Sequence, residues 1–309
     1  IKRFMDSLVI PNIDSEYKRE RAQDELPQSA AGRTIMTTEP KFIPEDAVKV
    51  DLPDNASLNV RLIDCVGFIV PSSLGYVEDD HPRMVKTPWF EEEIPFNMAA
   101  EIGTQKVITE HSTIGLVVTT DGTISDIPRA EYEEAEERVI NELKELNKPF
   151  VVLLNCMYPN GESAQKLCNE LSARYRVPVM AVNCLELREQ EIKEIITQIL
   201  FEFPVKEIKI DLPGWITSLE KTHWLRSEIF GKISSLATEL KKIRDISGFG
   251  KRISAVKYIS NTSLDCIDMA TGSAKISVRL KPDLFFKVLE EETGITVNSE
   301  QELMRKMKE

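Results

Sequence analysis

The chain has 309 residues, a length that accommodates about two domains with sizeable cores. Its formal net charge is −12, from 51 acidic and 39 basic side chains, and this balance argues against a general nucleic-acid-binding protein. The five cysteines form no CxxC pair, which is typical of buried thiols in a reducing cytosol. No stretch of the sequence reaches the roughly 18 consecutive apolar residues of a membrane span.

The first 44 residues predict two helices and an irregular segment. A short apolar stripe of helical spacing opens the chain and ends at Pro11, and residues 15–26 are strongly charged, which favours a solvated helix. Residues 27–44 are rich in turn-forming side chains and show no clear periodicity. Because Ile1 already lies within a helical pattern, we expect this helix to begin upstream of it.

An Asp-x-x-Gly motif follows the first predicted strands. Residues 48–52 and 58–63 flank the turn sequence PDNAS and predict an antiparallel pair. The second strand ends at Asp64, and Gly67 follows after two residues. In P-loop nucleotide hydrolases the carboxylate of this motif holds Mg²⁺ and the glycine N–H senses the γ-phosphate. Asp and Gly also punctuate strand ends as turn residues, so the motif alone is a weak signal.

Residues 70–95 form a long segment rich in Pro, Gly and acidic side chains, here called the excursion. Loops of this length are usually functional or mobile. After it the pattern alternates, with helices predicted at 96–111, 129–146, 163–175 and 188–201 and strands at 114–119, 150–155 and 177–182. Such alternation predicts a parallel sheet covered on both faces, with functional groups at the carboxyl ends of its strands. The residues that fall at strand ends are Asp64, 119–122, Asn155 and Asn183.

The pattern changes after Pro204, where we place a domain boundary. The elements predicted beyond it are a strand at 205–212, one long amphipathic helix at 215–244, strands at 256–260, 264–269 and 274–280, and helices at 283–292 and 299–308. This second part is a smaller α+β domain without recognisable catalytic spacing. We therefore expect it to be an interaction domain.

Two adjacent threonines, Thr37 and Thr38, precede the strand pair in the sequence TIMTTEP. P-loop enzymes place a threonine here, in a switch loop that closes onto Mg²⁺ and the γ-phosphate. The order of helix, threonine loop, strand pair and Asp-x-x-Gly favours a switch over a simple turn. We therefore take Thr37, Thr38 and Asp64 as candidate catalytic residues, with Asp64 and Thr38 as the candidate Mg²⁺ ligands.

The residue after the motif departs from the small-GTPase pattern. Many of those enzymes have a glutamine there that orients the attacking water, whereas this chain has Phe68. A phenyl ring cannot hydrogen-bond water, so the water must be positioned by another group. Thr37, Thr38 and Arg83 are the candidates.

The base-reading sequence also departs from that pattern. Guanine specificity normally uses N-K-x-D, in which the Asp accepts two hydrogen bonds from the base. Here the strand ends at Asn155 and continues with Cys156, Met157 and Tyr158. The guanine-reading Asp is absent, so adenine is at least as well supported. Asp64, Gly67 and Asn155 are the candidate nucleotide-binding residues.

The phosphate-cradling loop G-x-x-x-x-G-K-[ST] occurs nowhere in the 309 residues. We expect the first strand and this loop immediately upstream of Ile1. Without that loop, residues 1–309 alone are expected to be inactive.

Six stretches of sequence closely resemble the stage IV sporulation protein A family, the coat morphogenetic ATPases of endospore-forming bacteria. The stretches are AQDELPQSAAGRTIMTTEPKFIP, RLIDCVGF, PRMVKTPWFEEEIPF, AAEIGTQKVITEHSTIG, TTDGTISDI and EAEERVINELKELNKPF. The resemblance covers the whole chain and is densest over residues 22–150. Motifs of this length are highly specific.

The resemblance implies a P-loop domain related to translation-factor GTPases that uses ATP with Mg²⁺. It implies polymerisation into the basement layer of the spore coat, in the mother-cell cytoplasm at the outer forespore membrane. The implied partners are further copies of the chain, a small amphipathic membrane-anchoring peptide and other coat morphogenetic proteins. By motif match, Asp64 falls at the family's Walker B aspartate, and Thr37 and Thr38 fall at its threonine pair implicated in hydrolysis.

We therefore predict that residues 1–204 form an α/β P-loop NTPase domain lacking its N-terminal strand and P-loop, followed by an α+β domain at 205–309. The predicted function is that of an ATP-hydrolysing, self-assembling scaffold. One alternative is a GTP-controlled regulatory switch, against which Cys156 and Tyr158 argue. The other is a structural coat protein with a vestigial nucleotide site, against which the retained Asp64, Gly67, Thr37 and Thr38 argue.

Overall fold

The computed structural model describes residues 1–26, 40–51, 57–78, 81–268 and 271–308. The chain divides into two compact units, Ile1–Glu202 and Phe203–Glu309. Among the helices that the structure describes, none combines the length and the apolarity needed to cross a lipid bilayer.

The first unit mixes helices and strands. Its α-helices are α1 (Lys2–Phe4), α2 (Glu16–Asp24), α3 (Phe96–Lys106), α4 (Glu133–Glu145), α5 (Glu162–Tyr175) and α6 (Glu189–Phe201). Short π or 3-10 turns extend three of them, namely Met5–Val9 and Ile10–Asn12 after α1, Val107–His111 after α3, and Arg129–Tyr132 before α4. Its strands are β1 (Lys41–Asp51), β2 (Ser57–Asp64), β3 (Val77–Glu78), β4 (His81–Pro82), β5 (Met84–Val85), β6 (Ile94–Pro95), β7 (Gly115–Thr120), β8 (Phe150–Asn155) and β9 (Val179–Val182).

A parallel sheet forms the centre of this unit, with its strands in the order β7, β8, β9. The continuous apolar run of β8 is buried as far as Leu154, as expected for a central parallel strand. Val152 and Leu154 belong to a core cluster with side chains of α4 and α5, while α6 also contacts β8. Because Val151 and Leu153 are buried and alternate with that cluster, both faces of the central strand β8 are covered. The predicted parallel sheet is confirmed.

β1 and β2 form an antiparallel hairpin in which Lys41 lies opposite Asp64. The predicted pairing is confirmed, but β1 begins at Lys41 rather than at residue 48. It extends because Ile43 packs into a buried cluster with Met5 and Val9 of the chain's first helical segment. Within the described ranges this hairpin is a separate two-stranded sheet. Asp64 therefore does not end a strand of the parallel sheet, contrary to the sequence-based expectation.

The excursion contains two small antiparallel pairs, β3 with β4 and β5 with β6. It is anchored to α3, since a Cβ added to Gly103 would lie 3.2 Å from the Trp89 ring. Arg83 stabilises the excursion through two contacts. Its Nη1 donates to the Gly75 carbonyl at 3.1 Å, and its guanidinium lies 5.3 Å from the centre of the Phe96 ring.

The second unit contains a three-stranded sheet and several helices. Its strands are β10 (Glu207–Asp211), β11 (Ile259–Asp268) and β12 (Ser273–Leu280). Its α-helices are α7 (Gly214–Ser218), α8 (Trp224–Ala237), α9 (Ile246–Ser254), α10 (Pro282–Thr293) and α11 (Glu300–Lys306). The sheet order is β10, β12, β11, with β10 parallel and β11 antiparallel to β12.

The single helix predicted over 215–244 is wrong, because the chain forms α7, α8 and the 3-10 turn Ile243–Asp245 instead. The break comes at His223, whose Nδ1 accepts a hydrogen bond from the Leu225 N–H and so starts α8. Arg226 donates to the Thr217 carbonyl at 3.0 Å, which satisfies an acceptor at the end of α7.

The two strands predicted at 256–260 and 264–269 are also wrong as separate elements. β11 runs without a gap through Asn261, Thr262 and Ser263, which look like a break in the sequence. Polar side chains are tolerated there because β11 is an edge strand, and Thr262 Oγ1 donates to the Gly250 carbonyl at 2.9 Å.

Candidate functional site

Asp64 ends β2 and is half-buried. Burial raises the pKa of its carboxyl group, while the positive charge of Lys41, which lies opposite Asp64 in the hairpin, acts in the opposite direction. A carboxylate that is partly desolvated at a strand end suits a hard cation, since Mg²⁺ prefers oxygen ligands and keeps several of its waters. In the part of the chain that the structure describes, no cluster of three or more metal-binding side chains is present. A magnesium ion bound chiefly through water and phosphate oxygens needs no such cluster.

Gly67 lies in a left-handed backbone conformation with φ of 83°. Its N–H, which the sequence motif assigns to the γ-phosphate, donates to Thr104 Oγ1 at 3.1 Å. Thr104 is on the buried side of α3 and is only 3% exposed. Thr104 is not among the residues predicted from the sequence, although its helical spacing from Ala100 places it on the apolar side of α3.

Phe68 packs below Arg138 of α4, with the guanidinium 4.1 Å from the ring centre. Arg138 also contacts Glu101 of α3 at 3.0 Å. Phe68 is therefore an anchor between α3 and α4. Arg83, a candidate for orienting water, contacts the Gly75 carbonyl of the excursion and the Phe96 ring of α3, and these contacts give it a structural role.

Asn155 joins the ends of two parallel strands. Its Oδ1 accepts a hydrogen bond at 3.0 Å from the N–H of Cys184, in the loop after β9. In that loop Asn183 Oδ1 accepts from the Leu185 N–H at 3.1 Å. Arg3 in turn donates to the Leu185 carbonyl at 2.7 Å. Asn155 thus positions the loop after β9 beside the start of the chain.

Thr123 connects the loops after β7 and β8. Its Oγ1 donates to Asp121 Oδ1 at 2.6 Å and accepts from the Met157 N–H at 2.9 Å. Met157 and Tyr158, which replace part of the guanine-reading sequence, are 48% and 71% exposed, whereas Cys156 is fully buried. The three strand-end loops therefore form one edge that presents apolar side chains to solvent. Residues 119–122 are predicted from the sequence to lie at this edge, whereas Thr123 is not.

A buried ion pair supports the same edge from below. Arg129 Nη1 lies 2.7 Å from Glu136 Oε2 and donates to Thr119 Oγ1 at 2.9 Å. The Tyr175 hydroxyl donates to Glu136 Oε1 at 3.0 Å. Burial, together with the Glu136 charge, raises the pKa of Tyr175 to about 12. This network fixes the segment after β7 against α4 and α5.

The first helical segment of the chain links the two parts of the candidate site. Arg3 donates to the Leu185 carbonyl in the loop after β9, and Met5 lies in one buried cluster with Ile43 of β1. The hairpin and the loop after β9 therefore both lie against this segment. Thr37 and Thr38 lie outside the described residues, so the predicted threonine switch stays a prediction.

Comparisons with known proteins agree on one family. Residues 1–204 match the family model "Stage IV sporulation protein A, ATPase domain", and residues 205–309 match "Stage IV sporulation protein A, middle domain". No solved structure matches the chain.

Three curated relatives carry the name stage IV sporulation protein A. The protein of Bacillus anthracis is 47% identical over 99% of this chain and 62% of its own length. The protein of Clostridioides difficile (strain 630) is 46% identical over 98% of this chain and 62% of its own length. The protein of Bacillus subtilis (strain 168) is 44% identical over 100% of this chain and 63% of its own length. The chain thus spans less than two thirds of the length of these relatives. With both family models and these identities, the chain belongs to the stage IV sporulation protein A family.

Proposed function

We propose that the protein hydrolyses ATP at the edge formed by Asp64, Gly67 and the strand-end loops, and that hydrolysis drives its polymerisation into a morphogenetic scaffold. The observation that carries this proposal is the match of residues 1–204 to an ATPase domain, in a chain that has the Asp-x-x-Gly motif at Asp64 and Gly67. The carboxylate of Asp64 and the N–H of Gly67 are the two groups that a P-loop enzyme needs on the metal and γ-phosphate side of its nucleotide.

The phosphate-cradling loop belongs, in this proposal, to a further parallel strand beside β7. Among the described strands, β7 is bonded only to β8 and is an edge of the parallel sheet. Two of its apolar side chains, Leu116 and Val118, are 37% and 56% exposed. An added parallel strand would pair with the backbone edge of β7, would place its own side chains beside Leu116 and Val118 on the same face, and would bring its own carboxyl end to the edge where Asn155 lies. Its loop would then supply the backbone N–H groups and the lysine that bind phosphate.

Asp64 and Thr38 are the residues proposed to hold Mg²⁺. When bound, the ion would neutralise charge on the β- and γ-phosphates. Asp64 positions the ion, and Thr37 with Thr38 closes over the phosphate from the switch loop. Because Asp64 is held by the β1–β2 pairing, the backbone that carries its carboxylate is in place before nucleotide binds.

Adenine is the proposed base. The Asn155 loop has no carboxylate at the position of the guanine-reading Asp, and Tyr158 stands there instead. Exposed Met157 and Tyr158 offer apolar surface on which a purine can stack, and stacking does not require the exocyclic groups of guanine.

In the cell, the proposed scaffold is the basement layer of the spore coat at the outer forespore membrane, on its mother-cell side. Its proposed partners are further copies of the chain, a small amphipathic membrane-anchoring peptide and other coat morphogenetic proteins. The second unit, with its own sheet and helices, is the proposed interaction domain. No nucleic-acid partner is proposed, because the net charge is −12.

The test is nucleotide hydrolysis by the complete protein, measured with ATP and with GTP in the presence of Mg²⁺. We expect ATP to be preferred and Asp64→Ala to abolish turnover. Asp46→Ala is the matched control, because Asp46 lies exposed on the same hairpin and pairs with Lys18. GTP bound at least tenfold more tightly than ATP, about 1.4 kcal/mol, or undiminished turnover in Asp64→Ala, would contradict the proposal.

A further inference from the structure

The Gly67 N–H already has a hydrogen-bond partner within the fold. It donates to Thr104 Oγ1 at 3.1 Å, across 37 residues of sequence. Since one N–H donates one strong hydrogen bond, it cannot serve Thr104 and a phosphate oxygen fully at the same time. The contact therefore belongs to a state in which Gly67 is turned towards α3.

Thr104 is well placed to hold this state. It lies on α3 and is 3% exposed, so little water can replace Gly67 as the hydrogen-bond partner of its hydroxyl. The Cys65 thiol lies beside the same pair and contacts both the Thr104 hydroxyl and the Gly67 backbone. A buried, multiply contacted acceptor is a better competitor than an exposed one.

The residues that follow Gly67 are held in the same arrangement. Phe68 lies under Arg138, and Ser72 donates through both its N–H and its hydroxyl to Glu131, each at 2.8 Å. Gly67 itself has no Cβ to restrict its backbone, and its φ of 83° lies in a region that other residues rarely adopt. With Phe68 and Ser72 anchored, the backbone at Gly67 is the place where a change that releases the N–H is expected.

We propose that Thr104 is a positioning residue for ATP recognition, which holds the Gly67 N–H in the absence of the γ-phosphate and competes with the γ-phosphate for that donor. This rests on the proposed function, because it requires ATP to bind at this edge. It predicts that removing the Thr104 hydroxyl favours ATP over ADP, since ADP has no γ-phosphate to gain the donor.

The test compares Thr104→Val, which keeps the shape of the side chain and removes the acceptor, with Thr104→Ser, which keeps the acceptor. In the complete protein with Mg²⁺, we measure the Kd of ADP and of a non-hydrolysable ATP analogue. Thr104→Val is expected to increase the preference for the ATP analogue over ADP about twofold to tenfold, the range of one hydrogen bond. Thr104→Ser is expected to restore the wild-type ratio.

Thr109→Val is the matched control. Thr109 lies in the π turn that extends α3, and its exposed hydroxyl donates to the Gln105 carbonyl. An unchanged ratio in Thr104→Val, or an equal change in Thr109→Val, would overturn the proposal.

Amide hydrogen exchange of Gly67 without nucleotide tests the contact directly. Exchange should be faster in Thr104→Val than in wild type and unchanged in Thr109→Val, whereas equal exchange in all three proteins would overturn the contact itself. If the wild-type protein bound neither nucleotide, the proposed function would fail and the competition with it, even where exchange showed the Thr104 contact.

Discussion

The guanidinium of Arg138 lies 4.1 Å from the centre of the Phe68 ring. Phe68 is the residue that directly follows the Asp-x-x-Gly motif. Arg138 is itself held by Glu101 of α3 and, at 3.4 Å, by Glu142 of its own helix. The position that carries a water-orienting glutamine in many GTPases is therefore used here to fasten the motif to α3 and α4. This finding explains why the motif can tolerate a phenyl ring at that position.

We predict a coupling energy between Phe68 and Arg138 of about 0.5–1 kcal/mol, the usual value for a partly exposed cation–π pair. A double-mutant cycle with Phe68→Leu and Arg138→Met, followed by denaturant unfolding, measures it. The control pairs Phe68→Leu with Arg174→Met, because Arg174 forms an exposed ion pair with Glu137 elsewhere. Additive effects in both cycles would show that the Phe68–Arg138 contact contributes nothing.

The buried ion pair below the strand-end loops should matter far more than an exposed one. Arg129→Met leaves the Glu136 carboxylate buried without its cation, and we expect the free energy of unfolding to fall by about 3–5 kcal/mol. Arg174→Met removes the exposed partner of Glu137 on the same helix and should change it by less than about 1 kcal/mol. Chemical denaturation of both variants decides. A similar loss of unfolding free energy in Arg129→Met and Arg174→Met would contradict the structural role of the Arg129–Glu136 pair.

Elements with a strong local signal could be predicted from the sequence. The strand predicted at 150–155 agrees with β8 residue for residue, because its apolar run is continuous and bounded by polar residues. The break between α7 and α8 could not be predicted, since it depends on the side chain of His223 acting as a cap inside an otherwise helical pattern. The sequence predicts two strands in place of β11 because Asn261 and Ser263 favour turns when no neighbouring strand is considered.

The candidate site was predictable only in part. Asp64, Gly67 and Asn155 follow strands and belong to short motifs, so local sequence was enough to single them out. Thr104 could not be found in this way, because its contact with Gly67 joins a helix to a turn 37 residues away. The role of Thr123 could not be found either, because its contact with the Met157 N–H depends on the pairing of β7 with β8.

The pKa of Asp64 gives a prediction about stability. Burial raises this pKa in the folded state, so the folded protein binds the proton more tightly than the unfolded chain does. The stability due to Asp64 is therefore fully present below the ordinary Asp pKa, near 4, and is lost as the pH rises through the raised value. Asp64→Asn, which stays neutral, should be more stable than wild type at pH 7, and the difference should vanish in acid.

Asp46→Asn is the control for this pH series. Hydrogen bonding to Lys18 lowers the pKa of Asp46, so ionised Asp46 favours the folded state, whereas ionised Asp64 opposes it. Asp46→Asn should therefore bring no gain in stability at pH 7. Thermal unfolding of the three proteins between about pH 4 and pH 7 measures the effect. A stability difference for Asp64→Asn that did not depend on pH would contradict the desolvation of Asp64.

The threonine pair should affect turnover more than binding. Switch contacts strengthen around the phosphoryl group as it transfers, so we expect Thr37→Ala combined with Thr38→Ala to lower kcat by a larger factor than it raises the Kd of ATP. Single-turnover hydrolysis and equilibrium binding of the complete protein separate the two quantities. An unchanged kcat with an increased Kd would show that the threonines only bind nucleotide.

Sedimentation of the complete protein tests most directly whether ATP drives its assembly. Wild type and Asp64→Ala are each centrifuged with Mg²⁺ and ATP, with Mg²⁺ and ADP, and without nucleotide, and the pelleted fraction is measured. We predict that wild type pellets with ATP and stays in the supernatant otherwise, and that Asp64→Ala stays in the supernatant throughout. Equal pelleting of wild type in all three conditions would contradict ATP-driven assembly and favour a scaffold that polymerises without nucleotide.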